Sequence, residues 1–266
     1  MKKLASLALA VLMIAALCIS ASAADLKAAK GTPVIDGVMD DAYKAATEIK
    51  IVNELNGTNG KTKGTAYTLW DDKNIYVFFD VIDPKIEDNK TAEYWNGDSV
   101  EFFINLSGEA AGDITTINAA QYTAPSLYRD SDTVWQGRGG HWDANHDAAT
   151  FKTVKTDAGY AVEMQIPFGA NYTAKEGAKI TVAYHINSDE TGDTARDEEI
   201  FAGDASAQSQ AWNIVDSYDP MVLSADVYVE PTEDAPAADN TADAGIVVAA
   251  VVMACAAAVV LSKKSK

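Results

Sequence analysis

Residues 67–81, YTLWDDKNIYVFFDV, contain the pattern that decides the fold. Residues 67–70 and 75–81 are rich in aromatic, aliphatic and β-branched side chains, and the polar tetrapeptide 71–74 separates them. Two such runs around a short turn cluster predict a β-hairpin. A second hairpin is predicted from residues 151–154 and 160–166, which flank the turn at 157–159.

The alternation of apolar and polar residues extends through the central part of the chain. In residues 99–105, Val100, Phe102 and Ile104 alternate with polar positions that include Glu101, so Glu101 is expected to leave the strand on the face opposite Val100 and Phe102. Residues 179–186 and 221–229 are further predicted strands, and a turn or two of helix is expected at 40–46, with Asp40 capping its start. Many short strands predict an all-β fold, an antiparallel β-sandwich of immunoglobulin or jelly-roll type.

The two ends of the 266-residue chain differ in composition from the middle. Residues 1–23 are typical of a secretory signal peptide, and 244–261 is an uncharged run long enough for a transmembrane helix, followed by the basic tail 262–266. A domain at 24–230 and a flexible linker at 231–243 lie between them. The sequence therefore predicts an exported domain on the extracellular face of the cell membrane. A degenerate sorting signal at 239–243 that lacks L-P-x-T-G leaves cell-wall attachment as an alternative.

Charge and cysteine content exclude several function classes. Without the five terminal lysines the exported part has 16 basic and 39 acidic residues, a net charge of −23. A surface of that sign repels phosphate backbones, so no nucleic-acid partner is expected. Both cysteines, Cys18 and Cys255, lie in the predicted signal peptide and membrane segment. Disulfides, cysteine nucleophiles and thiolate metal sites are therefore not expected in the exported domain.

Metal and hydrolase motifs are weak. His141 and His146 share a glycine-rich polar segment but have no evident third ligand for zinc. No G-x-S-x-G turn is present, and the acidic residues are too numerous for any one pair to indicate a glycosidase. Residues 71–74 and 87–89 are compatible by composition with a structural calcium ion. No cofactor is expected to be required.

Two tryptophans, Trp95 and Trp212, lie in polar segments outside the strongest strand patterns. A tryptophan in such a segment presents a flat apolar face beside hydrogen-bonding groups, which suits the C–H face and the hydroxyl groups of a sugar ring. The alternative is that each ring covers one end of the sandwich.

Five segments of the central region form a more specific pattern. The first is 31–43, GTPVIDGVMDDAY, which contains P-x-I-D-G, and the others are 69–77, 95–104, 120–122 and 159–167. In this order the five segments resemble those of family 9 carbohydrate-binding modules. The resemblance spans residues 31–223 and implies a non-catalytic β-sandwich that grips one ring of xylan, cellulose or their oligosaccharides between two tryptophans.

By this resemblance Trp95 and Trp212 are the two walls of the site, and Glu101 accepts hydrogen bonds from sugar hydroxyls. Gln121 and Tyr122 belong to a matching segment and are counted with the site. Residues 123–126 depart from the basic residue and amide that sugar-binding members carry, which predicts a different sugar specificity or a lower affinity. Such modules are commonly fused to xylanases, so glycoside hydrolases on the same surface are candidate partners.

Two alternatives stay open. The first is a related sandwich for haem binding or electron transfer, with Met164 and His185 as candidate iron ligands. The second is a glycoside hydrolase that acts through paired carboxylates.

Overall fold

The computed structural model of the chain describes residues 26–55, 61–87, 93–127, 135–139, 148–193 and 195–231. Strands dominate these residues, and the helices are three short segments, as the all-β prediction requires. In chain order the elements are β1 (Leu26–Lys30), η1 (Asp41–Ala45), β2 (Ile49–Ile51), β3 (Asn53–Glu54), β4 (Lys63–Trp70), β5 (Asn74–Ile82), η2 (Tyr94–Asn96), β6 (Ser99–Asn105), β7 (Ala119–Pro125), β8 (Trp135–Gly139), β9 (Thr150–Lys155), β10 (Gly159–Pro167), β11 (Lys179–Ser188), β12 (Glu198–Phe201), α1 (Ala205–Gln208) and β13 (Asp219–Leu223).

The strands form two layers that meet at β1. The first layer runs β8-β7-β6-β11-β13-β1, with β12 beside β11 and β3 beside β12. The second runs β1-β4-β5-β10-β9, with β2 beside β4. β1 pairs in parallel with both β13 and β4, whereas every other pairing among the described strands is antiparallel. The parallel pairing of β1 was not predicted from the sequence; it is possible because β1 is joined to both neighbours through long connections rather than hairpins.

The core lies between the two layers. Phe79 of β5 and Tyr184 of β11 meet edge to face, with ring centroids 6.0 Å apart. The hydroxyl oxygens of Thr68 and Tyr184 are 2.7 Å apart, so the buried tyrosine hydroxyl has a hydrogen-bond partner in the opposite layer. Val100 and Phe102 of β6 are fully buried in this core. The predicted alternation along β6 is confirmed, and Glu101 consequently faces away from the core.

A buried carboxylate fixes the loop that carries the P-x-I-D-G pattern. Glu163 of β10 has 0% exposure and accepts hydrogen bonds from the backbone N–H groups of Asp36 and Gly37, each at 3.1 Å. The hydroxyl of Tyr43 donates to its other oxygen at 3.0 Å. Gly37 has φ of +81°, and a Cβ there would lie 2.6 Å from Cγ2 of Val154. Glycine is therefore required by both conformation and space at this position.

Two local predictions need correction. The carboxylate of Asp40 accepts from the backbone N–H of Val34 at 2.8 Å and makes no capping bond to η1, so it stabilises the preceding loop instead. The last predicted strand, 221–229, ends at Leu223. Beyond it the chain follows β1 through single bonds, such as that from the N–H of Ser224 to the carbonyl of Ala28 at 2.8 Å, without regular pairing.

The predicted signal peptide (1–23) and membrane segment (244–261) lie outside the described residues, as does all of the linker except residue 231. The described residues up to Tyr228 form one compact unit. Of the segment that follows it, residues 229–231 are described. Within the described part of the chain, the helices are too short and too polar to cross a bilayer.

Candidate functional site

A cavity of about 280 Å³ lies on the outer face of the layer that contains β6, β7 and β11. Its lining combines aromatic rings with charged and amide side chains from six separate parts of the chain. The lining residues are Trp95, Glu101, Phe103, Gln121, His185, Arg196, Glu199, Ser209 and Trp212. A concave surface of mixed aromatic and polar character is typical of small-ligand sites.

Trp95 belongs to η2, the short helix immediately before β6. The N–H of Gly97 donates to the carbonyl of Tyr94 at 3.1 Å and closes this helical turn. Asp98 follows, is 2% exposed, and accepts the backbone N–H of Asp189 at 2.8 Å. The turn that carries Trp95 is therefore attached on its C-terminal side to the end of β11, and the ring is held beside the cavity.

Trp212 lies in the turn that follows α1, and 44% of the residue is exposed. Its neighbour Ala211 is fully buried, and the hydroxyl of Tyr218 donates to the carbonyl of Ala211 at 2.8 Å. On the other side, the N–H of Asn213 donates to the carbonyl of Gln210 at 2.9 Å. The backbone on both sides is thus fixed, while a large part of the indole faces solvent at the cavity.

Glu101 lies on the cavity floor and is 2% exposed. Its Oε1 accepts hydrogen bonds from Nε2 of Gln121 at 2.9 Å and from the hydroxyl of Thr123 at 3.1 Å. Burial by itself raises the pKa of Glu101, but His185, Arg196 and Gln121 more than offset this and hold the pKa below its usual value. The side chain is therefore a carboxylate at neutral pH, a strong acceptor for hydroxyl groups.

His185 is paired directly with Glu101 across β11 and β6. Its ring lies between Phe103 and Phe201, with centroid distances of 4.5 and 4.4 Å. Burial lowers the pKa of His185, and the nearby carboxylate of Glu101 offsets this in part. Nδ1 is 3.6 Å from Oε2 of Glu101, which is an electrostatic contact and too long for a hydrogen bond. The imidazole is therefore neutral near pH 7.

Glu199 and Arg196 form the side of the cavity next to β12. Nη1 of Arg196 is 3.2 Å from Oε1 of Glu199 and donates to Oδ1 of Asn187 at 2.8 Å. Burial raises the pKa of Glu199 to about 7; Arg196 opposes this rise and Glu101 adds to it. Glu199 thus changes its charge in the neutral range, whereas Glu101 does not.

Four of the five residues predicted from sequence line this cavity together: Trp95, Trp212, Glu101 and Gln121. Tyr122 does not, because it is 1% exposed within the core between the layers. Adjacent residues of a strand point to opposite faces, so Gln121 and Tyr122 cannot both reach the site. The prediction of Tyr122 as a site residue is corrected on this ground.

Sequence reasoning did not assign His185, Arg196 or Glu199 to this cavity, although His185 was a candidate iron ligand. The alternation along β11 could have placed His185, since Tyr184 and Ile186 on either side of it are in the core. Arg196 and Glu199 reach the cavity only because β12 pairs with β11, with Glu199 opposite Asn187. No short-range pattern in the sequence shows that pairing.

The other metal candidates have separate outcomes. Asp71 accepts from the backbone N–H groups of Lys73 and Asn74 at 2.7 and 2.8 Å and from the hydroxyl of Tyr76 at 2.6 Å, so its carboxylate organises the hairpin turn. Residues 88–89, 141 and 146 lie outside the described part of the chain.

Met164 is in the core, whereas His185 is on the outer face of the opposite layer. Of the two candidate iron ligands, Met164 is therefore the one that faces inward.

A second group of acids is buried away from the cavity lining. Asp83, Asp98, Asp189 and Glu198 are each at most 4% exposed. Burial raises the pKa of Asp98 to about 7, and the nearby Asp83 and Asp189 contribute to the rise. Burial likewise raises the pKa of Asp83 to about 6, with contributions from Glu190, Glu198 and Glu87. Both side chains are thus poorly compensated as anions in the folded chain.

Comparison with known proteins shows which family the chain belongs to. The model of the family described as "Carbohydrate family 9 binding domain-like" matches residues 35–225. The chain belongs to this family. The resemblance recognised in the sequence motifs is thereby confirmed, and the site lies within the matched range.

Two relatives of this chain are named as xylanases. Endo-1,4-beta-xylanase C of Paenibacillus barcinonensis is 32% identical over 188 residues, 70% of this chain and 16% of that protein. Endo-1,4-beta-xylanase A of Thermoanaerobacterium saccharolyticum is 33% identical over 175 residues, 65% of this chain and 14% of that protein. This chain thus matches only a small part of each enzyme.

Solved structures of family 9 modules share the fold. A module from Caldicellulosiruptor kristjanssonii in complex with cellotriose gives a TM-score of 0.63 at 21% identity, covering 82% of this chain and all of that one. A structure from the same organism in complex with glucose gives 0.63 at 22% identity, covering 78% and 100%. The predicted β-sandwich is confirmed.

Proposed function

We propose that the domain binds one ring of a neutral oligosaccharide or polysaccharide, of the xylan or cellulose type, in the cavity between Trp95 and Trp212, without catalysing a reaction. The observation that carries this proposal is the joint placement of both tryptophans and the ionised Glu101 around one cavity. Family membership and the cellotriose and glucose complexes of the neighbouring structures support it. The cavity, at about 280 Å³, is at the small end of ligand sites, which favours one ring.

The energetics of such a site correspond to a modest binder. A bound sugar ring that covers one face of each indole would remove about 100 Å² of apolar surface per indole from water. At roughly 25 cal/mol per Å², the two rings then contribute about 5 kcal/mol to the binding free energy. Hydrogen bonds to Glu101 and Gln121 add about 1 to 3 kcal/mol. The losses of translational and side-chain freedom reduce this sum, so a Kd between micromolar and millimolar is expected. Many copies on one surface would raise the effective affinity by avidity.

Titration calorimetry of the purified chain against glucose, cellotriose and xylotriose tests the proposal. A saturable heat with at least one of these ligands, lost in the Trp95→Ala/Trp212→Ala double variant, is the expected result. Absence of binding by the folded protein to all three ligands at about 10 mM would overturn the proposal. A binding free energy of only about 4 kcal/mol corresponds to a Kd of about 1 mM, which is detectable at that ligand concentration.

Catalysis is not proposed, although Glu101 and Glu199 lie near each other. Their carboxylate oxygens lie within 4.8 Å of one another, with His185 beside both. The acids of a glycosidase flank the scissile bond, about 5 Å apart or more, whereas these two share the polar floor of the cavity. No release of reducing sugar from xylan or cellulose is expected. Release that disappears in the Glu199→Gln variant would establish the hydrolase alternative.

We further infer that the domain acts outside the cell, attached through its C-terminal segment. The apolar run at 244–261, the basic tail at 262–266 and the N-terminal segment at 1–23 support this inference. Glycoside hydrolases at the same surface are the proposed partners, because the relatives combine a similar segment with xylanase activity in one protein. Protease treatment of intact cells should remove the domain, and resistance until lysis would contradict this placement.

A further inference from the structure

Three potential metal ligands meet on the floor of the cavity. One ligand atom from each of Glu101, His185 and Glu199 lies within 4.8 Å of the other two. Nδ1 of His185 is 3.6 Å from Oε2 of Glu101 and 3.9 Å from Oε1 of Glu199. The side chains of His185 and Glu101 are 2% and 3% exposed, and that of Glu199 is 15% exposed. The three groups thus form a compact, mostly buried set that opens into the cavity.

The imidazole of His185 points to a missing partner. Neither Nδ1 nor Nε2 has a hydrogen-bond partner among the described residues, although both atoms are buried. A buried polar group without a partner destabilises the fold, and native structures seldom contain one without an unseen water, ion or ligand. The ring is fixed between Phe103 and Phe201, so it cannot rotate freely to find another partner.

The composition of the floor also suits a cation. Two glutamates, Glu101 and Glu199, face one guanidinium, that of Arg196. Nη1 of Arg196 donates to Oδ1 of Asn187 at 2.8 Å and lies 3.2 Å from Oε1 of Glu199. Gln121 and Thr123 both donate to Oε1 of Glu101, so its Oε2 is the oxygen directed at His185.

We propose that Glu101, His185 and Glu199 bind one divalent transition-metal ion, such as Zn²⁺ or Mn²⁺, on the cavity floor. One imidazole nitrogen and two carboxylate oxygens are a donor set for these ions, whereas calcium and magnesium prefer oxygen ligands alone. Ligand atoms about 2.0 to 2.2 Å from a tetrahedral metal are roughly 3.4 Å apart. The separations of 3.6 and 3.9 Å from Nδ1 of His185, and of up to 4.8 Å between the two carboxylate oxygens, therefore require inward shifts of the side chains, largest for the two glutamates. The remaining coordination positions would face the cavity.

Calorimetric titration of the metal-free full chain with ZnCl₂ and with MnCl₂ tests this proposal, and X-ray absorption of the loaded protein reports the ligands. One ion per chain, bound through one nitrogen and carboxylate oxygens, is expected. Glu199→Gln should weaken binding roughly 100-fold or more, since even the loss of a group that merely supports a metal ligand costs about 10- to 100-fold. Glu199 is partly exposed, so this nearly isosteric change should not disturb folding.

Two control variants keep the outcome specific. A His141→Ala/His146→Ala double variant should bind the ion as tightly as the parent chain, which excludes the other histidine pair as the site. Trp212→Ala should lose sugar affinity yet keep the ion, so failure of this proposal and failure of the sugar-binding proposal are distinguishable. The proposal is overturned if neither ion binds at about 1 mM, or if the Glu199→Gln variant binds as tightly as the parent.

Discussion

Replacement of Trp212 by alanine should weaken sugar binding by a calculable amount. The residue is 44% exposed, so roughly half of its surface is available to a ligand. Covering one indole face would remove about 100 Å² of apolar surface from water, worth roughly 2.5 kcal/mol at about 25 cal/mol per Å². The Kd for glucose or cellotriose should therefore rise by about 70-fold, as measured by titration calorimetry.

Stability and ligand contact can be separated in this experiment. The indole of Trp212 is nearly half exposed, and its turn is fixed by backbone hydrogen bonds and by Tyr218, so the melting temperature should change little. Tyr228→Ala is a matched control, since it removes an aromatic side chain that contacts Lys44 instead of the cavity. The reasoning is refuted if a folded Trp212→Ala protein keeps the parental Kd, or if the control loses as much affinity.

Further predictions concern the floor of the cavity, the buried acids and the loop at 33–37. Glu101→Gln should weaken sugar binding by about 1.5 to 3 kcal/mol, because a charged acceptor becomes neutral, and calorimetry of a variant with unchanged circular dichroism checks this. The pKa of Asp98 is about 7 in the folded chain and about 3.9 in the unfolded chain, so the folded state binds the proton more tightly. The contribution of Asp98 to the free energy of unfolding should therefore be greatest near pH 4 and fall as the pH rises to 7. Melting curves at pH 5 and pH 8 would show this loss. If the domain binds the structural calcium ion predicted from its sequence, calcium should raise the melting temperature at pH 8 and EDTA should reverse the rise; identical curves would contradict the calcium prediction. Gly37→Ala should lower the melting temperature through its φ of +81° and its contact with Val154, whereas Gly108→Ala, with φ of +77° and open space around it, isolates the conformational part.

Strand positions and faces were predictable where apolar and polar residues alternate. Residues 99–105 were predicted as a strand with Glu101 opposite Val100, and β6 has these bounds and this orientation. The hairpins at 67–81 and 151–166 were also predicted, because turn residues separate their apolar runs. β1 and β12 were not, since they are short and their pairing is decided by distant partners.

The candidate site was predictable only in part. Trp95 and Trp212 could be selected from sequence because each tryptophan lies in a polar segment beside a strand. Tyr122 was selected together with its neighbour Gln121, although alternation along β7 sends it into the core. Arg196 and Glu199 depend on the register of β12 against β11, which no local pattern encodes.

A crystal structure of the domain with bound cellotriose is the most direct test of the claim that the cavity is the sugar site. The account predicts one glucosyl ring in van der Waals contact with both Trp95 and Trp212 and a hydroxyl within hydrogen-bond distance of Glu101, at about 2.5 to 2.8 Å. A ligand bound elsewhere on the sandwich, with the cavity between the two tryptophans empty, would contradict it.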